Sequence, residues 1–465
     1  MARNLLILCS DEHRADALGC AGHRAVKSPV LDRLASRGVR FSNAYTPSPM
    51  CVPARAALAT GLPIHQTGHW DSATPYAGAP ESWMQALRAS GVDVVSFGKL
   101  HYRAGQDHGF ADEVLPMHVA GDGWTLGLLR QNAPEFDATR ELAHDSGEGW
   151  SDYARYDARV TEAACDWLND PERAAVPWAA FVSLVSPHYP LMAPPEYMRL
   201  YDPDTLDGPT GRKPTHPELQ RYDAFWDYDR HFDEDSARIA RAAYFGLVSY
   251  LDACVGRVLA ALDASGQAGD TLILYISDHG EMLGDHGFWT KQVMYEASAR
   301  VPMILAGPDW AEGTLCHTAV SLTDVAPTVL TWAGLKADHL PGTPLQELAR
   351  RPYDPARTVF SEYHDGGSTT GAFMVRWANW KYVHYHGERA QFFDLARDPD
   401  EDCDLAAEPE AATVLAEGER RLHAICDPAV VTARAFADQA RRVAELGGVT
   451  RLRDGEAFNH TPVPT

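Results

Sequence analysis

Acids, imidazoles and amino groups gather at four points of the chain, each time just after a short apolar run. Leu5 to Cys9 is followed by Asp11 and Glu12, and Val92 to Phe97 runs into Gly98-Lys99-Leu100-His101. Ala179 to Val185 runs into Ser186-Pro187-His188, and Leu272 to Ile276 into Ser277-Asp278-His279-Gly280-Glu281. Asp11, Asp278 and His279 form a mixed oxygen and nitrogen donor set suited to a divalent cation. A single Asp at a strand end is more often a helix cap or turn residue, so the weight lies in the combination. Lys99, His101, His188 and Lys291 add groups able to hold a tetrahedral oxyanion beside such a cation. Metal and basic groups on one rim favour phosphate or sulfate esters.

The segment from Pro49 to Gly61, PMCVPARAALATG, places Cys51 just before a proline-initiated helix, at the positive end where a developing anion is favoured. Arg55 lies one turn on and faces the same way. The residue types leave two readings of Cys51, a nucleophile of lowered pKa or a helix-cap residue. The other cysteines, Cys9, Cys20, Cys165, Cys254, Cys316, Cys403 and Cys426, are scattered with no close CxxC pair. Neither a zinc knuckle nor a disulfide scaffold is suggested, and most are expected to be small buried hydrophobes.

The elements that must position these groups follow from the apolar runs. Leu5 to Cys9, Val92 to Phe97, Ala179 to Val185, Leu272 to Ile276 and Met303 to Leu305 alternate with amphipathic stretches, the pattern of buried parallel strands in an α/β sheet. Helices are expected over Pro29 to Ser36, N-capped by Ser28, and over Ser82 to Arg88, Ser236 to Leu262 and Thr323 to Trp332. In open α/β sheets ligands bind at the carboxyl ends of the strands, where the four polar groups fall. Beyond Arg351-Pro352-Tyr353-Asp354-Pro355 the texture changes. Alternating segments at Phe373 to Arg376, Lys381 to Tyr385 and Gln391 to Asp394 predict a small antiparallel sheet, followed by a helical region from about Ala411. The expected division is therefore residues 1–355 and 356–465. Tyr201 to Asp235 reads as a long insertion over one face, either a binding loop or surface decoration.

The chain has 465 residues, with 41 Lys and Arg against 64 Asp and Glu, and a formal charge of −23. That balance argues against a nucleic-acid partner. Hydrophobic residues at 45% give enough apolar mass for a large core. The apolar opening Leu5 to Cys9 is too short to span a membrane, so a cytoplasmic enzyme without a membrane partner is expected.

C-x-P-x-R at Cys51 to Arg55, with Thr60-Gly61 following, resembles the signature of the sulfatases in the alkaline phosphatase superfamily. Gly98 to His101 resembles their second signature, and Ser277 to Lys291 their late metal-and-lysine block. The resemblance implies a large alkaline-phosphatase-like α/β domain with a mainly parallel sheet flanked by helices, plus a smaller C-terminal α+β subdomain. It implies that Cys51 is oxidised to formylglycine by a formylglycine-generating enzyme. One divalent cation, Ca²⁺ or Mn²⁺, would be held by Asp11, Asp278, His279 and the modified Cys51. Arg55 would hold the formylglycine, Lys99, His188 and Lys291 the sulfate, and His101 the formylglycine hydroxyls. His188 would protonate the departing alcohol. Hydrolysis would pass through a covalent hemiacetal released by C–O cleavage. Glu12 departs from the family's commoner Asp or Gln, and either ligates the metal or hydrogen-bonds nearby.

Asp278-His279 in place of Asp-Asn resembles the choline sulfatase and phosphonate monoester hydrolase branches. Trp124 resembles in position an aromatic residue that faces a quaternary ammonium, while a packing role is the alternative. Ser361 to Gly367 lacks the acid that choline sulfatases place near the cation. The expectation is a sulfate ester hydrolase, with a phosphonate monoester or phosphodiester hydrolase as the alternative and an inactive metal- and anion-binding homologue as the remote one. A homo-oligomer is expected by the same resemblance.

Overall fold

The computed structural model describes residues 3–131, 139–310, 313–453 and 461–464. Aliphatic runs with no polar face must be covered on both sides, and the central sheet meets that need. Its strands in chain order are β1 (Asn4–Asp11), β2 (Gly38–Phe41), β3 (Asp93–Arg103), β4 (Asp112–Val119), β5 (Trp178–Pro187), β6 (Thr271–Ser277), β7 (Met303–Ala306) and β8 (Thr314–Cys316). The order across the sheet is β8-β2-β7-β6-β1-β5-β3-β4. All neighbours are parallel except β7, which runs antiparallel to both β6 and β2. The apolar run at Met303 was expected to be parallel. Direction depends on the connection entering the strand, which apolar content does not record.

Alternate residues of β1 point to opposite faces. Leu5, Ile7 and Cys9 join a core with the helices Cys51–Thr60, Trp83–Ala89 and Val325–Trp332. Leu6 and Leu8 join one with Pro29–Ser36, Asp152–Asn169 and Glu234–Ala264. Glu234–Ala264 is long and apolar enough to cross a membrane by composition, but most of its apolar stretch is buried inside the fold. Ser28 does not cap the helix Pro29–Ser36 with its side chain. The Asp252 carboxylate accepts the helix's first amides, from Val30 at 3.0 Å and Leu31 at 2.8 Å.

β3 continues well past Phe97, so Lys99 and His101 stand on the strand itself rather than on a turn after it. Gly98 permits this, because at φ 93° any Cβ would lie 2.2 Å from the Ser183 carbonyl oxygen on the neighbouring β5. The strands β2, β4 and β8 had no apolar-run signal. They lie toward the edges of the sheet, where polar residues face solvent.

The predicted small sheet is a four-stranded antiparallel meander of β9 (Val359–Tyr363), β10 (Ala372–Trp377), β11 (Trp380–Tyr385) and β12 (Gln391–Asp394). The helices Ala412–Ile425 and Pro428–Glu445 follow it, contributing Leu422, Val431 and Ala435 to a core with Phe373, Val375 and Phe392. Within the Tyr201 to Asp235 insertion, the helix Pro217–Trp226 buries Tyr222 and Trp226. The Tyr222 hydroxyl donates to the Lys291 carbonyl oxygen at 2.9 Å, so the insertion reaches the functional rim.

Candidate active site

Asp11 closes β1 and Asp278 follows β6 directly. The two strands are parallel and in register up to Ser10 opposite Ser277, so the carboxylates emerge side by side. Cys51 is the first residue of the helix Cys51–Thr60, with Met50 as its N-cap, so it begins the helix rather than preceding it. Its Sγ lies 3.0 Å from His279 Nε2 and 3.8 Å from Asp11 Oδ1. His279 Nδ1 lies 3.0 Å from the Gly280 carbonyl oxygen, an atom that only accepts. The proton is therefore on Nδ1 and the Nε2 lone pair faces the thiol and carboxylates, the usual outer anchor of a metal-binding imidazole. Donor atoms of Asp11, Cys51, Asp278 and His279 all lie within 4.8 Å of one another, and all four residues are buried. Two hard carboxylates and one imidazole fit a divalent cation of the Ca²⁺ or Mn²⁺ type.

Arg55, one turn along the same helix, locks the two carboxylates. Its Nε donates to Asp278 Oδ2 at 2.7 Å and its Nη2 to Asp11 Oδ2 at 3.0 Å. Its Nη1 donates to the Lys99 carbonyl oxygen at 2.7 Å and to Ser183 Oγ at 3.0 Å. Lys99 Nζ sits 2.8 Å from Asp11 Oδ2. Burial alone would raise the Asp11 pKa, but the Lys99 ammonium and the Arg55 guanidinium hold it well below the usual carboxylate range. Cys51 behaves oppositely. Burial, reinforced by the Asp11 charge, pushes its thiol up to about 12. With no cation bound, desolvation outweighs the helix terminus and the nearby lysines, which favours a neutral thiol in the unmodified side chain.

Lys291 Nζ bridges Glu12 Oε2 at 3.0 Å and His188 Nε2 at 2.9 Å. His188 Nδ1 is 2.7 Å from the Tyr189 carbonyl oxygen, so Nδ1 donates there and Nε2 accepts from the ammonium. Burial, Lys291 and Lys99 keep this imidazole neutral by driving its pKa well below the ordinary value. Glu12 adopts φ 66°, and its Oε1 is buried with no hydrogen-bond partner. Glu12 Oε2 contacts Lys291 and lies 3.4 Å from His188 Nε2, and donor atoms of Glu12, Asp11 and His188 also lie within 4.8 Å of one another, so Glu12 hydrogen-bonds to the basic groups while standing beside a metal-ligating candidate. His101 meets Thr461 Oγ1 through Nε2 at 2.9 Å, while its Nδ1 is buried without a partner.

These groups open onto a pocket of about 800 Å³, its mouth included, lined by Cys51, Lys99, His101, His188 and Lys291. Trp124 is on its wall, and stands 5.8 Å from Trp226 between ring centroids. Tyr153, Tyr189 and Met50 complete an aromatic and apolar surround, and among the described residues no acid lines the pocket. Asp365, within the Ser361 to Gly367 stretch, is fully buried and takes hydrogen bonds from Ser72 N and Oγ at 2.8 and 2.7 Å.

Every candidate residue named from the sequence reaches this one rim. Tyr153 and Tyr189 on the pocket wall were missed, and so were three residues brought in from elsewhere in the fold. Ser183 sits in mid-strand, and only pairing across the sheet aims its hydroxyl at Arg55. Trp226 belongs to the insertion, whose aromatic content was its one signal. Thr461 lies 360 positions beyond His101, with no motif to mark it.

The sulfatase family model matches residues 3–335, and the C-terminal model of N-sulphoglucosamine sulphohydrolase matches residues 284–427. A choline-sulfatase of Rhizobium meliloti (strain 1021) is 34% identical over 427 residues, covering 87% of this chain and 83% of that protein. Human arylsulfatase K is 29% identical over 465 residues, covering 93% of this chain and 84% of its own. The crystal structure of phosphonate monoester hydrolase from Agrobacterium radiobacter superposes with a TM-score of 0.74 at 25% identity, covering 91% of this chain and 95% of that one. With the family model spanning most of the chain and the acid, lysine and imidazole rim assembled, this protein belongs to the sulfatase family of the alkaline phosphatase superfamily.

Proposed function

We propose that the protein hydrolyses sulfate esters of neutral aromatic or alkyl alcohols, at a formylglycine made from Cys51 and with one divalent cation held by Asp11, Asp278 and His279. The observation that carries this reading is the position of Cys51: at a helix N-terminus, 3.0 Å from the His279 lone pair, on the wall of a pocket that also presents Lys99, Lys291 and His188. When present, the aldehyde hydrate and the cation supply a nucleophilic hydroxyl and its acidification. The chain's own groups do the rest. Arg55 fixes both carboxylates through a rigid guanidinium that also ties down β3 and β5. Lys99 and Lys291 face the equatorial oxygens of the bound ester and balance charge that spreads onto them in the transition state. The departing alcohol takes its proton from the Lys291 ammonium, which the neutral His188 orients by accepting a hydrogen bond at Nε2, so His188 positions the donor rather than serving as the expected acid itself. His101 accepts the proton freed when sulfate leaves.

The aromatic walls and the absence of a lining acid among the described residues support a neutral leaving group over a quaternary ammonium, which would find ring faces but no counter-charge. The same arrangement binds tetrahedral phosphorus, and the likeness to phosphonate monoester hydrolase supports such esters as side substrates. A formylglycine-generating enzyme as maturation partner, a homo-oligomeric state and a cytoplasmic location belong to the same proposal.

Peptide mass spectrometry of active protein tests it, with an aldehyde expected at position 51 and Cys51→Ala expected to abolish turnover. Full activity with an intact thiol would overturn the mechanism. A kcat/KM for a phenylphosphonate monoester orders of magnitude above that for an aryl sulfate would overturn the substrate class.

A further inference from the structure

Away from the active-site donors, His108, Glu113 and His118 bring two imidazole nitrogens and a carboxylate within 4.8 Å of one another. Regular strand geometry forbids this meeting, because Glu113 and His118 are an odd number of residues apart on β4 and would point to opposite faces. β4 breaks its own alternation between them. The pairing with β3 passes from Phe97 opposite Val114 to Lys99 opposite Met117, so β4 spends one residue more than β3, and Leu115 takes φ 51°. This bulge turns His118 to the Glu113 side. His108 arrives from the loop that joins β3 to β4.

The hydrogen bonding of His108 points to a ligand. Its Nε2 lies 2.9 Å from the Arg103 carbonyl oxygen, which only accepts, so Nε2 carries a proton. In a neutral ring the Nδ1 lone pair then faces Glu113 Oε1 at 3.0 Å. Two acceptors at that distance repel unless positive charge lies between them, supplied either by a second ring proton or by a bound cation. Glu113 Oε2 lies 2.8 Å from His118 Nε2, and His118 Nδ1 is buried with no partner, so the Glu113 side is that ring's polar anchor. A carboxylate shared by two imidazoles, one tethered through its far nitrogen to a backbone carbonyl, is the donor set and outer anchor of a His₂Glu zinc site. The His108 side chain is fully buried, against Tyr102 and Tyr76, while Glu113 and His118 remain 23% and 14% exposed. That leaves an open side for a water ligand.

We propose that His108, Glu113 and His118 bind a second divalent cation of the zinc class, separate from the catalytic rim. The ion would clamp β4 to the loop leaving β3. The loop begins just after His101, and the end of β4 carries Val119 and Ala120 into the pocket wall, so the clamp would stiffen one side of the active site without touching substrate.

Metal analysis after equilibration with Zn²⁺ and dialysis tests the proposal on full-length wild type, Glu113→Gln, His118→Ala and Asp278→Ala. Wild type and Asp278→Ala are expected to keep the zinc of this site. Glu113→Gln, which preserves shape, and His118→Ala are expected to carry one equivalent less than wild type. Co²⁺ substitution should give the intense visible bands of a four-coordinate ion in Asp278→Ala and not in a variant that also carries Glu113→Gln. Equal zinc content in wild type, Glu113→Gln and His118→Ala would overturn the proposal and identify the cluster as an imidazolium–carboxylate pair. So would zinc lost only in step with the far-ultraviolet circular dichroism of both variants. Loss confined to Asp278→Ala would overturn it too, while leaving the catalytic reading intact.

Discussion

Replacing Arg55 with Met is the sharpest probe of how the site is held together. Arg55 is 1% exposed and makes four side-chain hydrogen bonds, two of them to the buried carboxylates of Asp11 and Asp278. A methionine fills similar volume but leaves Asp278 without its cation and Asp11 with Lys99 as its remaining close ammonium. Removing one partner of a buried ion pair costs about 3–5 kcal/mol, so the unfolding constant in metal-free buffer should rise by about two to four powers of ten. Equilibrium urea unfolding in a chelator, followed by the fluorescence of the 12 tryptophans, measures this directly. Excess Ca²⁺ or Mn²⁺ should restore more stability to Arg55→Met than to wild type, because the cation then meets carboxylates no longer shared with a guanidinium. Arg55→Lys should lose less than the Met variant, since it keeps the charge and forfeits the fork. A chelated Arg55→Met within about 1 kcal/mol of wild type, or one that gains no more from cation than wild type does, would refute the claim that Arg55 is the electrostatic clamp of the site.

Trp124→Ala should lower kcat/KM for an aryl sulfate about five- to tenfold, the worth of one ring contact, while leaving methyl sulfate nearly unchanged; equal losses on both would assign Trp124 to packing. Thr461→Val should cut kcat about fivefold and move its pH profile, because one hydrogen bond of about 1 kcal/mol to His101 is lost. An unchanged profile would remove Thr461 from the site. Burial would raise the Glu362 pKa, but hydrogen bonds from His364 and His65 win and hold it at about 2. A depressed carboxyl stabilises the fold above its unfolded pKa of about 4.3, and that contribution, about 3 kcal/mol at most, is lost as pH falls toward 2. Urea midpoints at neutral and acid pH should therefore fall more steeply for wild type than for Glu362→Gln, and parallel declines would refute the assignment.

The sequence by itself determined which acids, imidazoles and amino groups stand together and at which end of the sheet. Asp11, Lys99, His188 and Asp278 each follow or end an apolar run, and apolar runs in an α/β protein become buried strands whose carboxyl ends share one rim. It also determined the class, because the Cys51 to Gly61 segment and the Ser277 to Lys291 block are local patterns whose spacing survives without the fold. Tertiary structure decided everything that depends on contacts across the chain. The Cys51 thiol is pushed up rather than down because the folded core desolvates it, a quantity no local motif encodes. Glu12 meets Lys291, and Thr461 reaches His101, through long-range packing. The strand at Met303 reverses direction, and the bulge in β4 brings Glu113 and His118 to one side, because backbone register is set between strands and not along them. Local patterns carry residue type and periodicity, whereas burial, ionisation and cross-chain pairing exist only once the chain has closed on itself.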